Sequence, residues 1–264
     1  MGAFNKQKAF GQHFLKDPGI ILKIVDAVID SARAHPGASV LEIGPGKGAI
    51  TRPLLERLPL EVPFFLAERD RDLIDYWSGE SRVTKMLAGD FLNQSNEVLE
   101  SLGPLIVVSN LPYSAGTAIV VKLSQFAPQI PKMILMFQAE VSKRLYANPS
   151  TPDRGSLSLY MQNEWAIQKL IEVPPSAFEP RPKVMSEVVI LERRAHALIP
   201  LLESDSRERF NELLKIGFKH RRKMIKGNFS GTRWQNALEK SGVDPKLRAE
   251  ALEWKDWINL WKNF

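Results

Sequence analysis

The feature that most constrains this chain is the regular alternation of short apolar runs with amphipathic stretches between residues 39 and 138. Five runs have the length and β-branched content of buried strands, and they lie at 39–43, 63–67, 83–88, 105–109 and 132–137. Helical patterns lie between them, at about 49–58, 70–78, 94–102 and 115–126. This alternation predicts βαβ units with right-handed crossovers, and therefore an α/β fold with a parallel sheet.

Further elements are predicted on both sides of this sheet. Asp17 and Pro18 are typical of a helix N-cap and first turn, and apolar residues at helical spacing continue to about Ala34. Residues 164–173 and 184–192 alternate as strands, and the proline-rich loop between them presents Phe178, which we expect to be exposed.

Beyond residue 193 the strand signal ends and short helical patterns remain. Four tryptophans are predicted to form their core: Trp234, Trp254, Trp257 and Trp261. The sequence therefore predicts two domains, residues 1–195 and a small all-helical domain of residues 196–264.

Composition excludes several classes of protein. The 264 residues include no cysteine, which excludes disulfides, zinc–thiolate sites and thiol nucleophiles. The four histidines are scattered along the chain, so we expect no metal site. No apolar run approaches the roughly 20 residues of a membrane-spanning helix, and the N-terminus lacks the apolar segment of a secretory signal. We therefore expect a cytoplasmic protein without a membrane partner.

Positive charge is concentrated near the C-terminus. Residues 196–264 contain 14 Lys and Arg against 9 Asp and Glu, and so carry most of the net charge of +6. The densest basic stretch, residues 215–226, has no acidic residue. This distribution favours a polyanionic partner, and the alternative is a solvated helical surface without a partner.

Three glycines follow the first predicted strand of the sheet. Gly44, Gly46 and Gly48 would let the backbone approach a ligand and direct a helix N-terminus towards it. Glu68, at the end of the next strand, is placed to accept hydrogen bonds from ribose hydroxyls. These features favour an adenosine-containing cofactor and leave NAD and S-adenosylmethionine open, although the third glycine comes one residue early for the NAD motif.

Two further strand ends carry polar groups. Asp90 can accept a hydrogen bond from an adenine amine, or it can cap a helix. Residues 110–113, Asn-Leu-Pro-Tyr, offer an amide, a fixed proline turn and an aromatic ring, which suit a flat base with an exocyclic amine. The alternative for this tetrapeptide is a strand end followed by a proline turn.

The order of these motifs resembles the small-subunit ribosomal RNA adenine N6-dimethyltransferases (KsgA/RsmA type), a family of class I S-adenosylmethionine-dependent methyltransferases. The matching segments span about residues 6–228 and are 11–15 (GQHFL), 40–48 (VLEIGPGKG), Glu68, 89–90 (GD), 110–113 (NLPY), 138–145 (QAEVSKRL), 155–158 (GSLS), 178–186 (FEPRPKVMS) and 218–223 (FKHRRK). His13 departs from the pattern, since the family usually has Asn there. The resemblance implies a Rossmann-like sheet followed by a small helical RNA-binding domain.

The resemblance also implies that S-adenosylmethionine is the cofactor and assigns residues to it. Gly44 would hold its methionine end, Glu68 its ribose and Asp90 its adenine, while Asn110 would lie between cofactor and target base. The full implied cofactor set is His13, Leu15, Gly44, Gly46, Glu68, Asp90 and Asn110.

For the target adenine, the resemblance implies a site formed by Asn110, Leu111, Pro112, Tyr113 and Phe178. The Asn110 side-chain oxygen and the Leu111 carbonyl would accept hydrogen bonds from N6 and so favour a localised lone pair on that nitrogen. Tyr113 and Phe178 would stack on opposite faces of the base. The alternative for Phe178 is an ordinary core residue.

The implied partner is small-subunit ribosomal RNA within a pre-ribosomal subunit. A basic cluster, defined here as Lys219, Arg221, Arg222 and Lys223, would contact its phosphates. The implied enzyme acts as a monomer and dimethylates two adjacent adenines in the 3′-terminal hairpin. Alternatives are a large-subunit adenine methyltransferase of the macrolide-resistance type, an oxidoreductase, and a non-catalytic assembly factor of the same fold.

Overall fold

The computed structural model describes residues 13–201 and 205–264, and the chain forms two compact units. The first contains the described residues up to 142 together with 168–193, and the second contains 143–167 together with 194–264. The predicted division near residue 195 lies next to the junction at 193, but residues 143–167 group with the C-terminal segment. Leu159 shows why, because it packs in the tryptophan-rich core of the second unit.

A seven-stranded sheet is the centre of the first unit, except that the first three residues of one edge strand group with the second unit. Its strands are β2 (Ser39–Ile43), β3 (Phe64–Glu68), β4 (Lys85–Ala88), β5 (Leu105–Asn110), β6 (Lys132–Gln138), β7 (Trp165–Val173) and β9 (Ser186–Arg193), in the order β4-β3-β2-β5-β6-β9-β7. The first five strands of that order are parallel, as predicted, and β9 is antiparallel to β6. A separate antiparallel pair joins β1 (Phe14–Leu15) to β8 (Phe178–Glu179).

Helices connect the strands as the periodicity predicts. They are α1 (Pro18–Ala34), α2 (Thr51–Arg57), α3 (Arg71–Ser78), α4 (Asn96–Glu100), α5 (Gly116–Ser124) and α6 (Ala139–Tyr146). Asp17 caps α1 by accepting a hydrogen bond from the Ile20 amide at 3.0 Å. The helix predicted at 94–102 is shorter than expected, because it begins after its N-cap, Ser95, and ends before its C-cap, Ser101.

Burial across the sheet follows strand position. Every residue of β2 and β3 is buried, whereas the edge strand β4 has only one buried residue. This is the pattern of a parallel sheet whose central strands are covered on both faces. The parallel register brings the carboxyl ends of β2, β3 and β5 to one edge, where the predicted site residues lie.

Helices form most of the second unit, as predicted. They are α7 (Ser156–Glu164), α8 (Ser206–Gly217), α9 (Ile225–Phe229), α10 (Gln235–Lys240) and α11 (Trp254–Lys262). Trp234 and Trp257 are fully buried, and Trp254 and Trp261 pack against them partly buried, which confirms the predicted core. Among the described residues, no helix combines the length and apolar character needed to span a bilayer.

Candidate active site

The glycine loop between β2 and α2 has a backbone that only glycine adopts readily. Gly46 and Gly48 have φ angles of +53° and +89°, in the left-handed region. A Cβ added to Gly46 would lie 3.5 Å from the Phe14 ring. The loop is therefore closely packed, and a larger residue in either position would strain its backbone.

Glu68 lies beside this loop with only 6% of its surface exposed. Its Oε1 accepts hydrogen bonds from the amides of Arg69 and Asp70, at 2.7 and 2.9 Å. Its Oε2 accepts a longer bond, 3.3 Å, from the Gly46 amide. A carboxylate has about four acceptor sites, so these three donors leave it room for one ribose hydroxyl, and a second would replace the long bond from Gly46.

Asp90 has the capping role that the sequence left as an alternative. Its Oδ1 accepts from the Leu92 amide at 2.9 Å and caps the 3-10 turn. Its Oδ2 is 3.9 Å from the guanidinium of Arg69, and the side chain is 38% exposed. One carboxylate oxygen thus fixes the turn while the other remains accessible for an amine donor.

Asn110, the last residue of β5, is oriented by the backbone of a distant segment. Its Nδ2 donates a hydrogen bond to the backbone oxygen of His13 at 3.2 Å. The NH₂ end of the amide is thereby directed at His13, and Oδ1 is the end that can accept a hydrogen bond from a ligand. Next in the chain, Leu111 is buried and its amide donates to Met136, and Pro112 accepts the bonds that begin α5.

The rings of Tyr113 and Phe178 each lie next to the ring of His13. The centroid of the His13 ring is 5.4 Å from that of Tyr113 and 6.5 Å from that of Phe178. Tyr113 is half-buried, its hydroxyl is 2.6 Å from the Ser186 hydroxyl, and burial raises its pKa. The prediction of an exposed Phe178 was wrong, because its ring is 1% exposed and packs in the core of the first unit.

His13 and Leu15 occupy different environments at the start of the described chain. His13 Nδ1 is 2.8 Å from the backbone oxygen of Pro180, so its ring lies among the residues predicted for the base. Leu15 is buried in the core and pairs with Phe178 through the β1–β8 ladder. The preceding Gly11 and Gln12 of the same motif lie outside the described residues. The predicted cofactor contacts of His13 and Leu15 therefore stay predictions.

Sequence reasoning missed Glu42 as a functional candidate, although it lies in the matched segment. Its carboxyl is 2% exposed and Oε2 has no hydrogen-bond partner among the described residues. Burial, with a smaller contribution from the charge of Glu68, raises the pKa of Glu42 to about 8. An acidic residue within an apolar strand, two positions before a glycine loop, is the sequence signal that would have identified Glu42.

This donor set fits S-adenosylmethionine. The ligand presents ribose hydroxyls and an adenine amine, which are donors for the Glu68 carboxylate and for the Asp90 oxygen that the capping bond leaves accessible. The buried Glu68 carboxylate provides an acceptor suited to ribose. No group of three or more His, Asp or Glu side chains within 13–201 and 205–264 could hold a metal ion.

All four residues of the basic cluster are exposed, and one of them, Arg221, is anchored by hydrogen bonds. Arg221 donates hydrogen bonds to the backbone oxygens of Pro152 and Arg154, and its Nε is 3.8 Å from Glu250. The side chains of the other three have no hydrogen-bond or ion-pair partner in the described part of the chain: Lys219, Arg222 and Lys223. Arg221 therefore has a structural role in the second unit whether or not it contacts RNA.

Solved structures with the same architecture include two methyltransferases. A dimethyladenosine transferase from Plasmodium falciparum superposes with a TM-score of 0.73 and 23% identity, and covers 94% of this chain and 96% of its own. The 23S rRNA methyltransferase ErmE superposes with a TM-score of 0.67 and 26% identity, and covers 95% of this chain and 98% of its own. These likenesses confirm the predicted Rossmann-like methyltransferase fold.

Sequence comparison gives the family. Proteins named ribosomal RNA small subunit methyltransferase A are 41% identical in Thiobacillus denitrificans and 38% identical in Laribacter hongkongensis. The alignments cover 95% and 96% of this chain and 94% of each relative. The family model described as "Ribosomal RNA adenine dimethylase" matches residues 3–264. The chain therefore belongs to the ribosomal RNA adenine dimethylase family, whose methyltransferases use S-adenosylmethionine.

Proposed function

We propose that this protein transfers methyl groups from S-adenosylmethionine to N6 of two adjacent adenines in the 3′-terminal hairpin of small-subunit ribosomal RNA. The product is N6,N6-dimethyladenine, made during ribosome biogenesis. The observation that carries the proposal is the amide of Asn110, whose Nδ2 is bound to His13 so that Oδ1 is available to accept from an amine. Membership of the adenine dimethylase family supports the choice of amine.

Catalysis of this methyl transfer depends on positioning of the reacting atoms more than on proton transfer. When bound, S-adenosylmethionine supplies an electrophilic methyl group on its sulfonium. The lone pair of adenine N6 is delocalised into the ring. Hydrogen bonds that the N6 amine donates to Asn110 Oδ1 and to the Leu111 carbonyl favour a pyramidal, more nucleophilic nitrogen. The chain's task is then to hold that nitrogen in line with the methyl group. The methylated aminium is acidic and loses its proton to water, so no side-chain base is required.

Tyr113 would hold the base by stacking on one face. Its hydroxyl contact with Ser186 fixes the direction of the ring. Phe178 is covered in the described structure, so an adenine would contact its ring only after the residues that cover it rearrange. Stacking of this kind contributes on the order of 1–3 kcal/mol per base, which offsets part of the cost of taking the base out of its own stack.

Two classes of ribosomal RNA compete as the substrate. The curated relatives between 34% and 41% identical are named for the small subunit. ErmE, whose name specifies 23S rRNA, is 26% identical. The higher identity favours the small subunit for this chain, and the exposed cations of the basic cluster would contact its phosphates within a pre-ribosomal particle. We propose that the enzyme acts there as a cytoplasmic monomer.

A methyl-transfer assay with separated subunits tests this proposal. Purified protein is incubated with labelled S-adenosylmethionine and with unmethylated small or large subunits, and the RNA is digested to nucleosides. We expect labelled N6,N6-dimethyladenosine from small subunits only. Label confined to large subunits would assign the chain to the other class of substrate. Binding of small subunits without label on either RNA would make the protein a non-catalytic assembly factor.

A further inference from the structure

Trp77 makes an unusual contact with the glycine loop. It lies near the end of α3, is 1% exposed, and its Nε1 donates a hydrogen bond to the backbone oxygen of Gly46 at 3.0 Å. Three other buried indoles have no partner for Nε1 among the described residues: Trp165, Trp234 and Trp257. The bond from Trp77 is therefore a specific link between α3 and the loop and not a general property of buried tryptophans in this chain.

The same ring also occupies the space beside Gly48. A Cβ placed on Gly48 would lie 2.7 Å from both Cζ2 and Cη2 of Trp77, closer than real atoms approach. The guanidinium of Arg52 lies 5.6 Å from the Trp77 ring centroid, and the Arg52 amide donates to the Gly48 oxygen at 3.0 Å. Trp77 thus contacts two glycines of the loop, one by a hydrogen bond and one by packing.

These contacts restrict the backbone conformations of the glycine loop. Glycine has more accessible backbone conformations than any other residue, so an unrestrained loop with three glycines would spend much of its time in shapes that do not fit a ligand. Gly46 is held at both polar atoms, its amide by Glu68 at 3.3 Å and its carbonyl by Trp77. A loop held in this way loses less entropy when a ligand binds.

We infer that Trp77 is a positioning residue that holds the glycine loop ready for the cofactor. This inference rests on the proposed function, since it takes residues 44–48 as the cofactor loop. Without the Trp77 bond, a smaller fraction of the free protein has the competent loop, and apparent affinity falls in proportion to that fraction. Once the cofactor is bound the loop is held by the ligand, so the rate of methyl transfer is unaffected.

Trp77→Phe tests the inference by removing the N–H while keeping an aromatic ring. We expect the dissociation constants for S-adenosylmethionine and S-adenosylhomocysteine, measured by calorimetry, to rise roughly three- to tenfold, the range of one lost hydrogen bond. The KM for S-adenosylmethionine should rise with them. The kcat at saturating cofactor and the KM for small subunits should stay at wild-type values.

Trp257→Phe is the matched control. Its ring also fills the space beside a glycine, since a Cβ on Gly217 would lie 2.8 Å from Cη2, but its Nε1 has no partner among the described residues. Both variants should lower Tm by a similar amount, and only Trp77→Phe should weaken cofactor binding. Wild-type affinity in Trp77→Phe, or equal weakening in Trp257→Phe, would overturn the inference.

A measurement on the wild-type protein keeps the inference testable if Trp77→Phe does not fold. The amides of Gly46 and Gly48, which donate to Glu68 and to the backbone oxygen of Pro45, should be protected from hydrogen exchange before any ligand is added, and free exchange there would overturn the inference. Failure of the proposed function is distinguishable, because it would show in the wild-type protein as label on large subunits only or on neither RNA, whereas failure of the inference would show as unchanged cofactor affinity in Trp77→Phe.

Discussion

Trp77 in the first unit and Trp257 in the second pack against glycines at nearly the same distance, 2.7 and 2.8 Å from a Cβ added to the glycine, yet they do different things. The Trp77 indole binds the backbone of a loop, whereas the Trp257 indole has no hydrogen-bond partner among the described residues. Around Trp77, side chains fix backbone atoms, as Glu68 does at Gly46. Trp257 itself packs in an apolar core, and the backbone oxygen of its glycine, Gly217, is bound by Asn228 and not by the indole.

The charged groups that are candidates for function differ between the two units in the same way. In the first, Glu42 and Glu68 are buried carboxyls. In the second, Arg222 and Lys223 are exposed and make no side-chain hydrogen bond or ion pair within the described ranges. Fixed polar atoms are what a reaction at one nitrogen requires, while exposed cations suit the phosphates of a long polyanion. The difference suggests that the first unit determines turnover and the second determines affinity for RNA.

The largest effect should come from Asn110→Ala. The variant loses the acceptor for adenine N6, and removal of one such group typically lowers kcat by roughly 10²- to 10³-fold. Binding of S-adenosylmethionine, measured by calorimetry, should stay within a few-fold of wild type. A rate near that of the wild-type protein would exclude Asn110 as the group that holds N6.

Asn163→Ala is its counterpart in the second unit. Asn163 is also an asparagine bound to backbone, with Nδ2 donating to the Ile199 oxygen and Oδ1 accepting from the Ile199 amide. We expect this variant to lower Tm while each folded molecule keeps a normal kcat. An equal loss of kcat in Asn110→Ala and Asn163→Ala would contradict the proposal that the first unit determines turnover and the second determines affinity for RNA.

A smaller effect is expected from the paired change Arg222→Ser and Lys223→Ser. Loss of two phosphate contacts should weaken binding to small subunits and reduce the slope of log affinity against log salt by about 1.5. The kcat at saturating subunits should not change. Filter binding across a range of salt concentrations measures both quantities.

Two further variants are needed to interpret the result for Arg222→Ser with Lys223→Ser. Lys240→Ser with Lys262→Ser removes the same charge from the second unit outside the basic cluster, and should leave the slope within about 0.5 of wild type. Arg221→Ser should lower Tm, because it frees the carbonyls of Pro152 and Arg154. An unchanged slope in the paired variant would make the cluster a solvated surface.

The smallest effect concerns the stability of the first unit. Burial raises the pKa of Glu42 from 4.5 to about 8, so between these values the unfolded chain ionises while the folded chain keeps the proton. Stability from the neutral form is therefore complete below pH 4.5 and is lost as pH rises towards 8. Glu42→Gln cannot ionise, and its Tm should exceed that of wild type by a few degrees at pH 8 but not at pH 4.5.

Thermal unfolding at several pH values, followed by circular dichroism, measures this difference. Glu56→Gln is the control, because it removes an exposed carboxylate on α2. A Tm difference from wild type that changes with pH equally for both variants would mean that burial of Glu42 has no part in the effect.

The sheet and the position of its polar groups could be predicted from the sequence. Residues 105–109 are a continuous apolar run and Asn110 follows it directly, so the run predicts both the buried strand and a polar group at its end. The same reasoning placed Glu68 and Asp90 at strand ends, where the structure has them. The hydrophobic period and the length of a strand are set by residues that are adjacent in the sequence, so both can be inferred from local sequence.

Contacts between distant segments could not be predicted in this way. Asn110 is oriented by His13, 97 residues away, and the His13 ring contacts Pro180 across 167 residues. The burial of Phe178 and the anchoring of Arg221 also depend on which segments meet. A proline-rich loop and a basic stretch look exposed in the sequence because nothing in their local pattern shows what packs against them.

The sequence by itself determined the α/β architecture, the glycine loop and the acidic and amide groups at the strand ends, since hydrophobic period and turn chemistry are local. Only the tertiary structure decided which atoms of those groups are left to bind a ligand. Glu68 has already accepted three backbone bonds, the Nδ2 of Asn110 is already bonded to His13, and Trp77 is already bonded to Gly46. The reason is that hydrogen-bond capacity is finite, and how much of it remains depends on contacts between segments that are far apart in the sequence.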